Sequence, residues 1–218
     1  MPDERARELE RRGRVDDSPA ARAAALLARA RAGDQGALER LELAAWLGPG
    51  PERDVLGRVP AAAPGFDEAA QAVIQAAQTA ADHKGEPCID LHLLAALAER
   101  PGPGMRTLLA SLDVDLRQEY WSPLARIARD ARAEVSQSAF GRLLSSTPAT
   151  DLVATAHDER VSLGDPIAGT EHLLLAVLLL DGDACGILKS RIGLVYQETR
   201  EQLRDLRQLD SEQGSPGM

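Results

Sequence analysis

Two histidines at matching places in the chain are the first candidates for chemistry. His92 and His172 lie 80 residues apart, and two leucines follow each of them. A histidine at the start of a helix can cap the backbone, bind a metal or transfer protons. Neither residue belongs to an H-E-x-x-H zinc motif, and no carboxylate lies four residues away on the same helical face. We therefore expect both to be buried, hydrogen-bonded histidines.

Other patterns that bind metals or nucleotides are missing as well. Cys88, Cys185, His83 and His157 have spacings that match no known ligand pattern. The string closest to a P-loop, at residues 182–190, has the wrong glycine spacing, and no Ser-His-Asp or Cys-His arrangement is suggested. The sequence therefore predicts no catalytic residue, no metal, no cofactor and no enzymatic activity.

The composition predicts an all-α protein. Alanine occurs 37 times and leucine 32 times, whereas Phe, Tyr and Trp total six. Strong helix formers dominate and strand formers are scarce, which excludes a β-sandwich or β-barrel. The net charge of −9 argues against general binding to nucleic acids or anionic membranes. With two cysteines, no signal-peptide core and no apolar run longer than eight residues, we expect a soluble cytoplasmic protein.

Turn residues and charge divide the chain into segments. We predict a flexible tail at 1–17, a helical hairpin at 18–59 with a short third element near its end, and a Pro-rich linker at 60–65. A double repeat at 66–207 and a disordered tail at 208–218 complete the chain. Residues 1–60 carry eleven arginines and eleven acidic residues, so the later segments carry the whole negative charge.

The double repeat decides the architecture. Residues 66–118 and 147–207 each begin with an amphipathic helix, turn at a Gly-x-Pro string, and continue into a short leucine-rich helix that starts at the His-Leu-Leu. A helix that is apolar nearly all round must be buried, so we expect one leucine helix at the centre of each repeat. A Gly-rich break and a third helix follow in both.

This repeat resembles the N-terminal domain of the Clp (Hsp100) unfoldases. The most specific stretch is Gly169-Thr-Glu-His-Leu-Leu-Leu-Ala-Val-Leu178, which matches the family pattern G-T-E-H-L/I-L, and Phe66 and Thr147-Pro148 match the starts of the two repeats. The resemblance implies two pseudo-symmetric four-helix repeats, here preceded by the small helical hairpin. Because the sequence contains no P-loop, it also implies a stand-alone Clp N-domain protein without the ATPase module.

The chain departs from the family pattern in two places. The first repeat reads Ile89-Asp-Leu-His92, with Leu91 where the family has glutamate. In Gram-positive members that glutamate helps to recognise the guanidinium of phosphoarginine, so the resemblance implies that one of two such sites is lost. The linker between the repeats, residues 119–146, is longer than usual and contains a predicted helix at 123–135.

Four residues are candidates for binding a ligand or peptide. Glu171 either interacts with the dipole of its own helix or pairs with arginine or phosphoarginine of a partner, and Thr170 precedes it. Trp121, next to Tyr120, either anchors a partner or fills the gap between the repeats. Phe66 is expected in the core, although family members use the start of the first repeat in a groove that binds natural products.

The resemblance implies a non-catalytic module of the Clp protease system that binds proteins or peptides. The expected partners are a Clp unfoldase, adaptors, substrate peptides or Clp-targeting cyclic peptide antibiotics, and no membrane. The alternative is a transcriptional autoregulator in which residues 18–59 bind DNA and the repeats sense a ligand, although those helices show no basic face beyond scattered arginines.

Overall fold

The computed structural model describes residues 18–47, 50–60, 62–85, 87–114, 126 and 147–213, with side chains to residue 209. Within these ranges the chain forms α-helices and no strands, which confirms the all-α prediction. The chain divides into two compact units, residues 1–65 and residues 66–218. Among the helices that the structure describes, none is long and apolar enough to cross a membrane.

The N-terminal unit contains α1 (Pro19–Arg31), α2 (Gln35–Leu47) and α3 (Pro51–Leu56). Ser18 caps α1 by accepting a hydrogen bond from the amide of Ala21 at 3.2 Å, and Asp34 caps α2 in the same way through Ala37. Each of the three helices contacts both others. The short third element expected near the end of the hairpin is α3, and it packs on the α1–α2 pair.

The C-terminal unit contains seven helices within the described residues. They are α4 (Glu68–Asp82), α5 (Asp90–Glu99), α6 (Pro103–Ser111), α7 (Ala149–Leu163), α8 (Thr170–Leu179), α9 (Asp183–Ile192) and α10 (Tyr196–Gln213). The first repeat contributes α4 to α6 and the second α7 to α10. The fourth helix expected in the first repeat and the helix predicted at 123–135 both fall outside the described residues, apart from Arg126, which is helical.

The leucine helices α5 and α8 form the core of this unit. Nine of the ten residues of α8 are buried, and the buried residues of α5 include all four of its leucines. Helix α8 contacts every other described helix of the unit. Burying nearly all faces of these two helices removes most of their apolar surface from water, which is the main stabilising contribution to the unit.

The two repeats are connected reciprocally at the segments that precede α5 and α8. Phe66, at the start of the first repeat, pairs with Ala168 just before α8, and the amide of Asp67 donates to the Ala168 carbonyl at 2.9 Å. Pro148, at the start of the second repeat, pairs with Ile89 just before α5. Each repeat therefore fixes the entry of the other repeat's leucine helix, as expected for a pseudo-twofold arrangement.

Asp90 joins the repeats through its carboxylate. It is the first residue of α5 and only 1 % exposed, and its Oδ2 accepts a hydrogen bond from the Ala184 amide at the start of α9 at 2.9 Å. Gly182 lies so close that a Cβ atom there would overlap with this carboxylate. Burial raises the pKa of Asp90 to about 6, although the amides of Ala184 and Leu91 oppose the rise.

Helix α10 extends beyond the boundary predicted for the C-terminal tail. We expected disorder from residue 208, but α10 continues to Gln213. The segment after Arg207 consists largely of Leu, Gln and Glu, which have high helix propensity, and the helix extends through them.

The buried carboxyl of Asp90 predicts a pH-dependent stability. Its pKa is higher in the folded state, about 6, than the ordinary 3.8, so ionisation costs the folded protein about 3 kcal/mol. The free energy of unfolding should therefore rise as the pH falls through 6 towards 4. Urea unfolding across this range should show the wild type gaining stability relative to Asp90→Asn by about 1–3 kcal/mol.

The control is Asp151→Asn, which removes an exposed carboxyl on α7. It should follow the wild-type pH profile. If the free energies of unfolding of the wild type and Asp90→Asn change identically with pH, the pH dependence does not come from the buried carboxyl of Asp90.

Candidate functional site at the helix N-termini

The Gly169–His172 segment forms the start of α8 and faces the start of α6. Thr170, the first residue of α8, is 1 % exposed and packs against Gly102, where a Cβ atom would lie 2.5 Å from the Thr170 Oγ1. Among the described residues, this buried oxygen has no hydrogen-bond partner. The side chain of Thr170 packs against Gly102, and the side chain of Asp90 packs against Gly182 in the same way. The same contact therefore occurs on both sides of the pseudo-twofold axis.

The carboxylate of Glu171 lies where the first turns of α6 and α8 meet. It is 5 % exposed and is enclosed by Gly104 and Gly169, since a Cβ atom at either glycine would overlap with it. The N-terminus of a helix carries a partial positive charge, so two such ends favour a negative group between them. The interaction with the helix dipole, one of the two roles considered for Glu171, is thus consistent with its position.

Arg207 on α10 pairs with Glu171, a contact that the sequence did not predict. Its Nη2 donates to the Glu171 Oε1 at 2.8 Å, and its Nε donates to Asp165 at 3.1 Å. Burial lowers the pKa of Arg207, but the charges of Asp165 and Glu171 outweigh burial and raise it. The guanidinium that Glu171 was expected to recognise on a partner is present in this chain itself. The only sign of this ion pair in the sequence is the set of arginines in the segment that forms α10.

His172 belongs to the same group of polar side chains as Asp165, Glu171 and Arg207. Its Nδ1 accepts a hydrogen bond from the Gly169 amide at 3.0 Å, so Nε2 carries the proton and donates to Asp165 at 2.9 Å. Burial lowers the pKa of His172, against the opposing charges of Glu171 and Asp165. In the first repeat, His92 caps α5 by accepting from the Ile89 amide at 3.3 Å. The prediction of buried, hydrogen-bonded histidines is confirmed.

In the leucine helix of the first repeat, the buried acidic residue lies one position earlier than in the leucine helix of the second repeat. Leu91 occupies the position equivalent to Glu171 and is fully buried, while Asp90 takes the place of Thr170. The Asp90 carboxylate reaches α9 of the other repeat, 94 residues away in sequence.

The remaining predicted site residues divide between the core and the part outside the described residues. Phe66 is 3 % exposed and lies in the core, next to the segment that leads into Thr170. The structure thus brings Phe66, Thr170 and Glu171 to one region, but all three are buried. Trp121 and Tyr120 lie outside the described residues.

The cysteines and the other histidines do not combine into a site. Cys88 and Cys185 are both free thiols, and burial raises the pKa of Cys185. His157 is buried beside Arg160, with the Nε2 atom 3.2 Å from a guanidinium nitrogen. In the part of the chain that the structure describes, no group of three or more His, Cys, Asp and Glu residues could hold a metal ion.

Three arginines of the N-terminal unit make contacts within that unit. Arg29 pairs with Asp34 at 2.6 Å, Arg58 pairs with Glu42, and Arg53 donates to the Ala45 carbonyl at 3.1 Å. These arginines stabilise the packing of α1, α2 and α3. Arg29 lies on α1, Arg53 on α3 and Arg58 after the end of α3, so these three arginines do not share one helix.

The enclosure of Glu171 predicts opposite effects of two glycine substitutions. Gly104→Ala on α6 should lower the free energy of unfolding by about 1–3 kcal/mol, since the new Cβ overlaps with the buried carboxylate. Gly186→Ala on α9 meets nothing within 4 Å and should raise it by about 0.5–1 kcal/mol through helix propensity. Chemical denaturation measures the free energy of unfolding of both variants. Equal effects of the two substitutions would contradict the enclosure of Glu171 by Gly104.

The comparison with known families agrees with this architecture. Residues 65–191 match the model of the Clp repeat (R) N-terminal domain. The match covers more than half of the chain, including α4 to α9 and the starts of both repeats. No curated protein matches the chain. The chain belongs to the Clp repeat N-terminal domain family.

Proposed function

We propose that this protein is a non-catalytic module of the Clp protease system that binds proteins or peptides. The observation that carries the proposal is the Clp repeat match over residues 65–191, a range that includes the two reciprocal pairings between the repeats, Phe66 with Ala168 and Ile89 with Pro148. Domains of this family interact with proteins in Clp systems. In this proposal the chain modulates degradation by competing with the unfoldase for substrates or adaptors, or by delivering them.

The proposed ligands follow the chemistry of the second repeat. Glu171 and Thr170 would recognise a guanidinium or a phosphoarginine on the substrate through charge-assisted hydrogen bonds. With Leu91 in the equivalent position, the first repeat supplies no such carboxylate, so we propose one site of this kind. Clp-targeting cyclic peptide antibiotics are a further proposed class of ligand, near Phe66 and Trp121.

The contact between Arg207 and Glu171 supports this choice of ligand. The guanidinium lies 2.8 Å from a carboxylate that is otherwise enclosed by glycines, so the geometry suits a planar, charged donor. A phosphoarginine would have to replace Arg207 to reach the same carboxylate. We therefore expect weak binding to the wild type and tighter binding when Arg207 is removed.

The test is a degradation assay with a Clp unfoldase, its peptidase and fluorescent casein, either unmodified or phosphorylated on arginine. Added at about tenfold molar excess over the unfoldase, this protein should slow the degradation of arginine-phosphorylated casein by about twofold or more. Slowing of both caseins would indicate general protein binding, and slowing of the phosphorylated form alone would indicate phosphoarginine recognition.

Matched variants connect the effect to the site. Glu171→Gln should lose the selective part of the effect, whereas Glu201→Gln, on the exposed side of α10, should behave as the wild type. Unchanged degradation of both caseins, together with no binding of the protein to casein or to the unfoldase, would refute the proposed function.

A further inference from the structure

Helix α10 differs from the other helices of its unit in how little of it is buried. Of its side chains described at positions 196–209, only Thr199 and Leu203 are buried. Charged and amide residues make up most of its sequence, and Leu209 is 52 % exposed. Apolar burial, which holds α5 and α8 in place, therefore contributes little to the docking of α10.

Charged pairs attach α10 to the rest of the unit at two levels. Near its start, the Arg200 Nε pairs with the Glu159 Oε2 at 2.9 Å, and the Tyr196 hydroxyl donates to the other oxygen of Glu159 at 2.7 Å. Two turns further along, Arg207 bridges Asp165 and Glu171. Both levels connect an arginine of α10 to carboxylates of the α7–α8 region.

The carboxylates of these pairs are more deeply buried than the arginines. The side chain of Glu171 is 6 % exposed and that of Asp165 12 %, whereas that of Arg207 is 37 % exposed. The arginine thus approaches from the solvent side and covers the carboxylates. Because it is partly exposed, dissolved salt screens this attraction far more than it weakens the leucine core.

The connection between α9 and α10 is short. Helix α9 ends at Gly193, whose φ of +80° is a left-handed conformation that glycine adopts without strain. Leu194 is buried and anchors the connection, and Val195 is 42 % exposed immediately before the helix. A short segment with glycine at one end and a buried anchor next to it is suited to act as a hinge.

We propose that α10 is a detachable strap that covers the carboxylates of Asp165 and Glu171, so that Arg207 inhibits the chain's own guanidinium site. With α10 docked, Glu171 is occupied; with α10 released, Glu171 and Asp165 lose their guanidinium and accept one from a partner. The inhibitory consequence rests on the proposed function, whereas the release of the strap does not.

Hydrogen exchange measured by mass spectrometry on the full chain tests the strap. An isolated helix of this length is marginal in water, so an undocked α10 should exchange quickly. Between about 50 mM and about 500 mM KCl, exchange in residues 196–213 should accelerate at least about tenfold, while α5 and α8 change little, because salt weakens the charged pairs that attach α10 and does not weaken the apolar burial of the leucine helices.

Two variants complete the experiment. Arg207→Gln should exchange rapidly in α10 at both salt concentrations while α8 stays protected, which shows that the rest of the unit is folded. Arg204→Gln removes an exposed arginine of the same helix and should behave as the wild type. The strap is refuted if α10 keeps the protection of α8 at both salt concentrations, or if the Arg207 and Arg204 variants exchange alike.

The exchange experiment uses no ligand, so its result is independent of the degradation assay. If α10 is released but the protein neither changes casein degradation nor binds casein or the unfoldase, the strap stands and the proposed function is refuted. If the protein slows degradation while α10 stays docked, the proposal of a protein-binding module stands and the strap is refuted.

Discussion

A carboxylate at the junction of two helix N-termini is the interaction on which the rest of the structure depends. Asp90 fills this position between α5 and α9, and Glu171 fills it between α8 and α6. In each case the two helices belong to different repeats. Helix N-termini that meet in the core leave N–H groups and partial positive charge buried, and the carboxyl group at each junction lies where its oxygens offset them.

The two junctions differ in how the anion is stabilised, and this difference separates their roles. Asp90 relies on backbone amides, and its raised pKa reflects the cost of burying a charge with no arginine beside it among the described residues. Glu171 has Arg207, a partner that comes from a polar helix at the edge of the unit. The first junction therefore holds the repeats together, and the second has a replaceable partner.

Much of the fold follows from the sequence because its signals are local. The leucine runs predict buried helices, the histidines predict caps, and the repeat predicts the pseudo-symmetry. The partners of Asp90 and Glu171 could not be predicted in the same way, since Ala184 lies 94 residues from Asp90 and Arg207 lies 36 residues from Glu171. Gly182 beside Asp90, and Gly104 and Gly169 beside Glu171, are the sequence features that mark where the two carboxylates lie close to backbone. Glycine also occurs near the starts of helices that make no such approach, so these residues alone do not predict the contacts.

We infer that helices α4 to α9 of the two repeats unfold as a single cooperative unit, and native-state amide exchange tests this most directly. The amide of Asp67 bonds to Ala168 and the amide of Ala149 bonds to Cys88, so each reports one of the two connections between the repeats. We predict that both amides exchange only through global unfolding, with the same free energy as the centre of α8. Exchange of either amide through a smaller opening, while α8 stays protected, would show that the repeats separate and would contradict this claim.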